Sequence, residues 1–241
     1  MQLALQNIRH ACCIKDKPCS KDNGVAQGLF ILPVVRFFIY LRFMKRFIAL
    51  HLLVLSLSLA GHSQDNTPQL LKEPASWTFE RFSLPPSFAP VFPFTGAEEL
   101  RFSPGMFHKD SVTYFTYVFV AELDNTVSVS KKEVHTYVLN YFKGLCSSVA
   151  KDRKLTIDTS VIKADVEQKK GTTDFYNASL NIFGVFTDGA PVKLNMEIKV
   201  LKNAASKKTY LFFIASPLAR TNKTWDELRA IQNGFAIPVT P

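Results

Sequence analysis

Few side chains in this chain combine the types and spacings that catalysis needs. After residue 63, where we predict the mature protein to begin, the sequence has two histidines, His108 and His135, and one cysteine, Cys146. A serine nucleophile needs a histidine base, an orienting acid and the sharp turn of a G-x-S-x-G motif, and that motif is absent. H-E-x-x-H and glycine-rich phosphate loops are absent as well. The sequence therefore excludes the common motif-bearing enzymes.

The remaining candidates are better explained by structure than by catalysis. Cys146 and His135 are eleven residues apart, which on one helix separates them by about 16 Å. Cys146 also falls on a predicted apolar stripe, where a thiol resists ionisation. Glu98 and Glu99 are adjacent on a predicted strand and therefore point to opposite faces. We expect no catalytic residue, no metal site and no cofactor.

A proline-punctuated segment carries the side chains that we predict to bind a partner. Within PPSFAPVFPFTG, residues 85–96, prolines alternate with three phenylalanines: Phe88, Phe92 and Phe94. Rigid rings on a proline-braced loop lose little conformational entropy on binding. The alternative is that at least some of these rings pack over the end of the core. We take Phe88, Phe92 and Phe94 as the candidate binding residues.

Residues 44–63 have the three parts of a secretory signal peptide. Two basic residues follow Met44, then come a 13-residue apolar region and a small-residue end. A membrane anchor is the alternative, but a spanning helix needs about 20 apolar residues. We predict cleavage before Gln64 and export to the periplasm or the extracellular space. Contact with the membrane is then only transient.

Residues 1–43 are unexpected in front of a signal peptide. We predict that Met44 is the true start and that residues 1–43 are a misassigned upstream extension. One histidine and three cysteines in this stretch lack the paired C-x-x-C spacing of a zinc site.

Most of the positive charge belongs to this leader. Residues 1–63 carry eight Lys+Arg and two Asp, so they hold 8 − 2 = +6 of the net charge of +9. The other 241 − 63 = 178 residues carry +3, which gives no case for nucleic-acid binding. Three of the four cysteines also lie in the leader. We therefore expect an exported domain without disulfides, held together by its core.

The exported part begins with a polar segment, residues 64–76, that we predict to be a flexible lead-in. A single globular domain follows over residues 77–241. We predict strands over Trp77 to Leu84, Glu98 to Phe102, Ser111 to Leu123, Thr156 to Glu167, Asp174 to Phe186, Lys193 to Val200 and Tyr210 to Ala215. The third and seventh runs are apolar on both faces, which is typical of central strands. The last four form a predicted antiparallel meander.

Two helices complete the predicted domain. Ser130 and Glu133 have the spacing of a capping box, and a long stripe of apolar residues follows at intervals of three and four. A second capping box is predicted at Thr224, with a helix stop at Gly234 followed by Phe235 folding back on the core.

The layout WTFERFSLPPSFAP, EELRF, a long apolar strand, a helix, a four-strand meander and a final W-x-E-L-x-x-I helix resembles the PsbP/Mog1-like domains. The resemblance covers about residues 77–236. It implies an α+β fold in which helices pack on both faces of an antiparallel sheet, an α/β/α sandwich in the order βββαββββα. A cystatin-like or NTF2-like sheet around the long helix is the rival.

Members of the resembled fold serve as accessory subunits, GTPase partners and exported proteins, so fold alone does not supply a function. We expect an exported, non-enzymatic binding or accessory module whose partner is a protein or an apolar small molecule. The alternative from another class is a small hydrolase or isomerase that uses scattered acids and tyrosines.

Overall fold

The computed structural model of the protein describes residues 69–91 and 94–238. The predicted upstream extension (1–43), the predicted signal peptide (44–63) and the first residues of the predicted lead-in lie outside this part of the chain. The candidate binding residue Phe92 also lies outside it.

The described strands form one antiparallel sheet of seven strands in the order β1-β2-β3-β7-β6-β5-β4. They are β1 (Thr78–Leu84), β2 (Gly96–Phe102), β3 (Tyr117–Leu123), β4 (Lys163–Gln168), β5 (Phe175–Phe183), β6 (Pro191–Asn203) and β7 (Lys208–Ser216). Two helices join them, α1 (Lys131–Arg153) and α2 (Thr224–Gly234). The described chain is therefore α+β, and the predicted meander of β4 to β7 is confirmed.

The central strands β3 and β7 are buried on both faces, as their two-sided apolar sequences predict. Phe119 and Phe213 stack with ring centroids 4.2 Å apart in the larger core cluster, to which α1 also belongs. Their neighbours Val120 and Phe212 lie in a second cluster with Trp225 of α2. Adjacent strand residues point to opposite faces, so each helix contributes to a different cluster.

Helix α1 forms because its sequence holds both a start signal and a continuous apolar stripe. Glu133 N donates to Ser130 Oγ at 3.3 Å, and Ser130 N donates to Glu133 Oε2 at 2.6 Å, which is the predicted capping box. The buried residues recur at helical spacing: Val134, Tyr137, Val138, Tyr141, Phe142, Leu145, Cys146, Val149 and Ala150. Lys154 ends the helix in the left-handed region, with φ at 57°. The predicted helix is confirmed.

The strand predicted over Ser111 to Leu123 is too long, because its first six residues form turns. Phe115 has a φ of 49°, in the left-handed region that a strand cannot use. Thr113 N donates to Ser111 Oγ at 3.2 Å, and such local bonds compete with a β-ladder. These residues belong to the segment between β2 and β3, from which the Met106 side chain packs in the larger core cluster.

Strand β4 also starts later than predicted, at Lys163. A 3-10 turn over Thr159–Val161 precedes it. Ser160 N donates to Asp158 Oδ1 at 2.9 Å, so this aspartate caps a turn where the sequence pattern predicts a strand. β4 pairs only with β5 in the sheet and is the predicted edge strand.

Helix α2 starts without its predicted capping box. Lys223 is the N-cap and makes no side-chain cap bond. Thr224 is already the first helical residue, so its hydroxyl lies one position too late to cap the helix. The predicted stop is confirmed: the helix ends at Gly234, and the Phe235 ring lies 5.0 Å from that of Phe212.

Residues 69–76, which belong to the predicted lead-in, lie against β2. The backbone N–H groups of Leu70 and Leu71 both donate to Glu99 Oε2 at 2.8 Å. The Arg101 guanidinium donates to the Leu71 carbonyl at 3.1 Å. Two charged side chains of β2 therefore hold this segment in place, and Leu71 is buried.

Candidate functional site

A cavity lies between the β1–β2 end of the sheet and helix α1. Its volume is about 30 Å³, counted as the space that the centres of water molecules can occupy. This is room for about two waters. The wall consists of Glu80, Phe82, Phe88, Leu100, Phe102, Met106, Tyr117, Tyr141, Leu145 and Phe186. Six of these ten residues are aromatic, and one, Glu80, is acidic. An apolar wall with a few polar groups is typical of a small-molecule site.

Strand alternation and strand register place the cavity residues. Glu80 and Phe82 of β1 stand opposite Leu100 and Glu98 of β2, so the four side chains share one face of the sheet. Helix α1 adds Tyr141 and, one turn later, a leucine to the same wall. The cavity thus forms where the first hairpin meets the helix.

Phe88 brings the proline-punctuated loop onto the cavity. Its ring makes edge contacts with Tyr141 at 5.0 Å and with Phe82 at 6.1 Å. The loop can approach α1 this closely because Gly144 has no side chain: a Cβ there would lie 2.2 Å from the Phe88 carbonyl oxygen. Phe82 and Phe88 are the two lining residues that keep partial exposure to solvent. Access to the cavity therefore runs past these two rings.

A fully buried carboxyl group lies directly behind the cavity. Tyr137 Oη donates to Glu98 Oε2 at 2.8 Å, and Tyr141 Oη donates to Glu98 Oε1 at 2.7 Å. The two tyrosines are one helical turn apart on α1 and stack with centroids 6.1 Å apart. Because Tyr141 also lines the cavity, one side chain connects the cavity wall to the buried acid.

Burial has the largest effect on the pKa values of the side chains in this cluster. Desolvation raises the pKa of Glu98 from 4.5 to about 7, although the hydrogen bonds from Tyr141 and Tyr137 oppose the rise. The pKa values of Tyr117, Tyr137 and Tyr141 also lie well above the ordinary value, first through burial and then through the nearby Glu98 carboxylate. Near neutral pH, Glu98 therefore exists in both protonation states while the phenols keep their protons.

Glu99 belongs to the opposite face and to a different network. Its carboxylate accepts a hydrogen bond from Arg81 Nη1 at 2.8 Å, besides those from the lead-in backbone. Glu98 and Glu99 thus point apart, as strand geometry predicts, and they form no acid–base pair with each other.

The structure places two of the three candidate binding residues. Phe88 is half-buried and lines the cavity, whereas the Phe94 side chain is buried in the larger core cluster. Phe92 lies outside the described residues. Both interpretations of the sequence, packing on the core and binding a partner, therefore apply to Phe88, since its ring packs on the core and also faces a cavity.

The other candidates occupy structural positions. The Cys146 thiol is buried, lies 3.8 Å from the Phe183 carbonyl oxygen, and has a pKa raised by burial to about 11. His135 Nε2 lies 3.1 Å from the Ala164 carbonyl oxygen, at the boundary of α1 and β4. His108 is exposed in a turn.

Sequence reasoning did not single out Glu80, Tyr137 or Tyr141 as site residues. The tyrosine pair fits the apolar stripe of α1, and the stripe pattern does not show that the hydroxyls need an acceptor. A glutamate on an inward-facing strand position supplies that acceptor, and buried polar groups are hydrogen-bonded as a rule. The sequence signal that could have identified this site is a pair of tyrosines at positions i and i+4 of a helix, together with a glutamate at an inward-facing position of a strand.

Within residues 69–91 and 94–238, no group of three or more His, Cys, Asp or Glu side chains is arranged to hold a metal ion. Neither α1 nor α2, the helices of that same part of the chain, has both the length and the apolarity for crossing a bilayer. Comparison of the chain with models of known families, with curated proteins and with solved structures gave no match.

Proposed function

We propose that the protein is an exported, non-enzymatic binding module that holds a small, largely apolar molecule in the cavity beneath Phe88. The observation that carries the proposal is the cavity itself, whose described lining residues include six aromatic rings and one acidic residue. Binding sites for small molecules combine such apolar walls with a few polar groups. A binding test can also show that the cavity is occupied by one side chain of a partner protein.

The proposal requires the Phe88 side chain to move when a ligand binds. The cavity has room for about two waters as it stands, so a ligand with a ring has to displace the half-exposed Phe88 side chain. The loop that carries Phe88 rests on Gly144 and on edge contacts between rings. A ring contact of this kind contributes about 0.5–1.5 kcal/mol, which a ligand ring in the same place can replace.

Nuclear magnetic resonance titration of the purified protein with benzyl alcohol tests the proposal. We expect saturable shift changes at Leu100, Met106 and Leu145, and none at Leu228 in the second cluster. Leu145→Phe fills the cavity and should abolish the shifts. Leu139→Phe is the matched control, because Leu139 lies on the same helix and packs on the core without lining the cavity.

Two results would count against the cavity as the binding site. One is the absence of saturable shifts at the lining residues. The other is equal binding by the Leu145→Phe and Leu139→Phe variants, since filling the cavity does not change the affinity of a ligand that binds elsewhere. Thermal unfolding of both variants should confirm that each is folded.

An isomerase or hydrolase is the second candidate, and one observation favours it. Glu80 lines the cavity, and Tyr141 connects the cavity to Glu98, whose pKa of about 7 suits proton transfer at neutral pH. Turnover of a β,γ-unsaturated ketone or an aryl ester that both Glu80→Gln and Glu98→Gln abolish would establish this candidate. Turnover that survives both substitutions would exclude it.

We also propose that residues 44–63 are removed on export and that the domain has the α/β/α arrangement of the PsbP/Mog1-like fold, in the order βββαββββα. The signal-peptide pattern supports the first proposal. The separate clusters around α1 and α2 support the second. Intact-mass measurement of protein from its own cell envelope should give a chain that begins near Gln64. Recovery of uncleaved chains from the inner membrane would contradict export with cleavage.

A further inference from the structure

We infer that the ligand of this cavity is an organic cation, a protonated amine on a small apolar body. The inference rests on the proposed binding function and specifies its ligand class. Three features of the described residues carry it: the placement of two carboxyl groups, the aromatic wall and the separation of charges across the sheet.

The two carboxyl groups approach the cavity from the same face of the first hairpin. Glu80 lines the cavity and is only 5% exposed. Glu98 is fully buried one hydrogen bond behind Tyr141. Phe82 stands directly opposite Glu98 in the register, and Glu80 is two residues before Phe82. The acids are therefore diagonal neighbours on adjacent strands, with Glu80 in the cavity wall and Glu98 behind Tyr141.

The aromatic wall supports the same charge preference. Phe82, Phe88, Phe102, Tyr117, Tyr141 and Phe186 surround the cavity. The face of an aromatic ring is electronegative, and cations are attracted to it most strongly where water is excluded. Cages of aromatic rings recognise methylated and quaternary ammonium groups by this attraction. Among the lining residues that belong to the described part of the chain, none is a lysine, an arginine or a histidine.

Strand alternation keeps the nearby cations of the hairpin on the other face. Arg81 follows Glu80 in β1 and donates to Glu99, and Arg101 of β2 donates to the carbonyl groups of Leu71, Trp77 and Lys72. Both guanidinium groups thus bond to groups on the side of the sheet away from the cavity. The hairpin presents acids to the cavity and keeps its arginines behind the sheet.

The size of the cavity fits an ammonium head better than a whole ligand. Space for about two waters accommodates a cationic head, while the body of the ligand displaces Phe88 or leaves the cavity beside Phe82 and Phe88. These two rings are the half-exposed part of the wall. The head therefore lies at Glu80 and the apolar body at the mouth.

Benzylammonium and benzyl alcohol form a matched pair of probes, since they share shape and size and differ in charge at neutral pH. We expect the purified protein to bind benzylammonium about tenfold or more tightly than benzyl alcohol, by calorimetry at pH 7 and low salt. Glu80→Gln keeps the shape of the side chain and removes its charge. This variant should lose about tenfold in benzylammonium affinity and bind benzyl alcohol within about threefold of the parent protein.

Glu122→Gln is the control, because Glu122 lies on β3 outside the cavity and pairs with Lys208. It should leave both affinities unchanged. Should Glu80→Gln not fold, the preference of the unaltered protein between the two probes decides the inference, and Leu145→Phe shows whether the binding is in the cavity.

The outcomes separate the inference from the proposed function. Equal affinity for the two probes in the cavity overturns the inference and leaves the binding function standing. Binding of neither probe overturns both. A tenfold preference that persists in Glu80→Gln also overturns the inference as stated, because the cation then does not depend on the carboxylate in the wall.

Discussion

Replacing Glu98 by Gln should stabilise the protein in alkaline solution and leave its stability in acid nearly unchanged. The Glu98 pKa is 4.5 in an ordinary environment and about 7 in the folded protein, so the folded state binds its proton more tightly than the unfolded state. A raised carboxyl pKa makes the free energy of unfolding fall as the pH rises between these two values. Glutamine has the shape of the neutral acid and does not titrate.

The size of the effect follows from the pKa difference. A shift of one pKa unit corresponds to about 1.4 kcal/mol, so the change from 4.5 to about 7 amounts to roughly 3 kcal/mol when complete. Between pH 5 and pH 8 the parent protein should lose roughly 2 to 3 kcal/mol relative to Glu98→Gln. For a domain of this size, that difference corresponds to roughly 5–10 °C in Tm.

Urea unfolding followed by tryptophan fluorescence at pH 5 and pH 8 measures this difference. Other groups titrate in the same range, so the quantity to compare is the pH dependence of the parent protein minus that of Glu98→Gln. Glu99→Gln is the matched control: it removes the adjacent carboxylate on the other face and should keep the parent pH dependence, whatever its overall stability. Parallel stability curves for the parent and Glu98→Gln would refute the buried, proton-binding state of Glu98.

Two further predictions concern stability. Cys146→Ala should lower the free energy of unfolding by about 1–2 kcal/mol, because it removes a small buried group from α1, and rapid labelling of the folded parent by a thiol reagent would contradict that burial. Ser130→Ala should cost about 1 kcal/mol through loss of the capping box, whereas Thr224→Ala should change stability by less than about 0.5 kcal/mol, since the Thr224 side chain does not cap the helix; equal losses in urea unfolding would refute this distinction.

Local patterns were sufficient to predict the elements that are repetitive in sequence. The stripe of α1 and the alternation of β5 and β6 each reflect one side that contacts the core, so residue type alone carries the information. The ends of elements were predicted less well. Ser111 and Asp158 bond to their own backbone neighbours, and these short-range bonds override the β-propensity of the residues around them.

The candidate site could be predicted only in part, because its contacts join distant parts of the chain. Tyr137 and Tyr141 lie 39 and 43 residues from the acid that they bond. Phe88 was identified from its own loop, yet its cavity exists only because Gly144 lets that loop reach the helix. No local pattern shows such a meeting of segments.

The pairing of β3 with β7 has a consequence for synthesis of the chain. The strands pair through Tyr117↔Ala215 to Leu123↔Thr209, and residues 124–207 lie between them. Every other strand pair of the described sheet joins strands that follow one another in sequence. A ribosome completes the first meander long before the last strand emerges, so β3, apolar on both faces, keeps an unpaired edge during that interval. Such an edge can pair with other chains, so the incomplete chain is exposed to edge-to-edge aggregation until β7 is made.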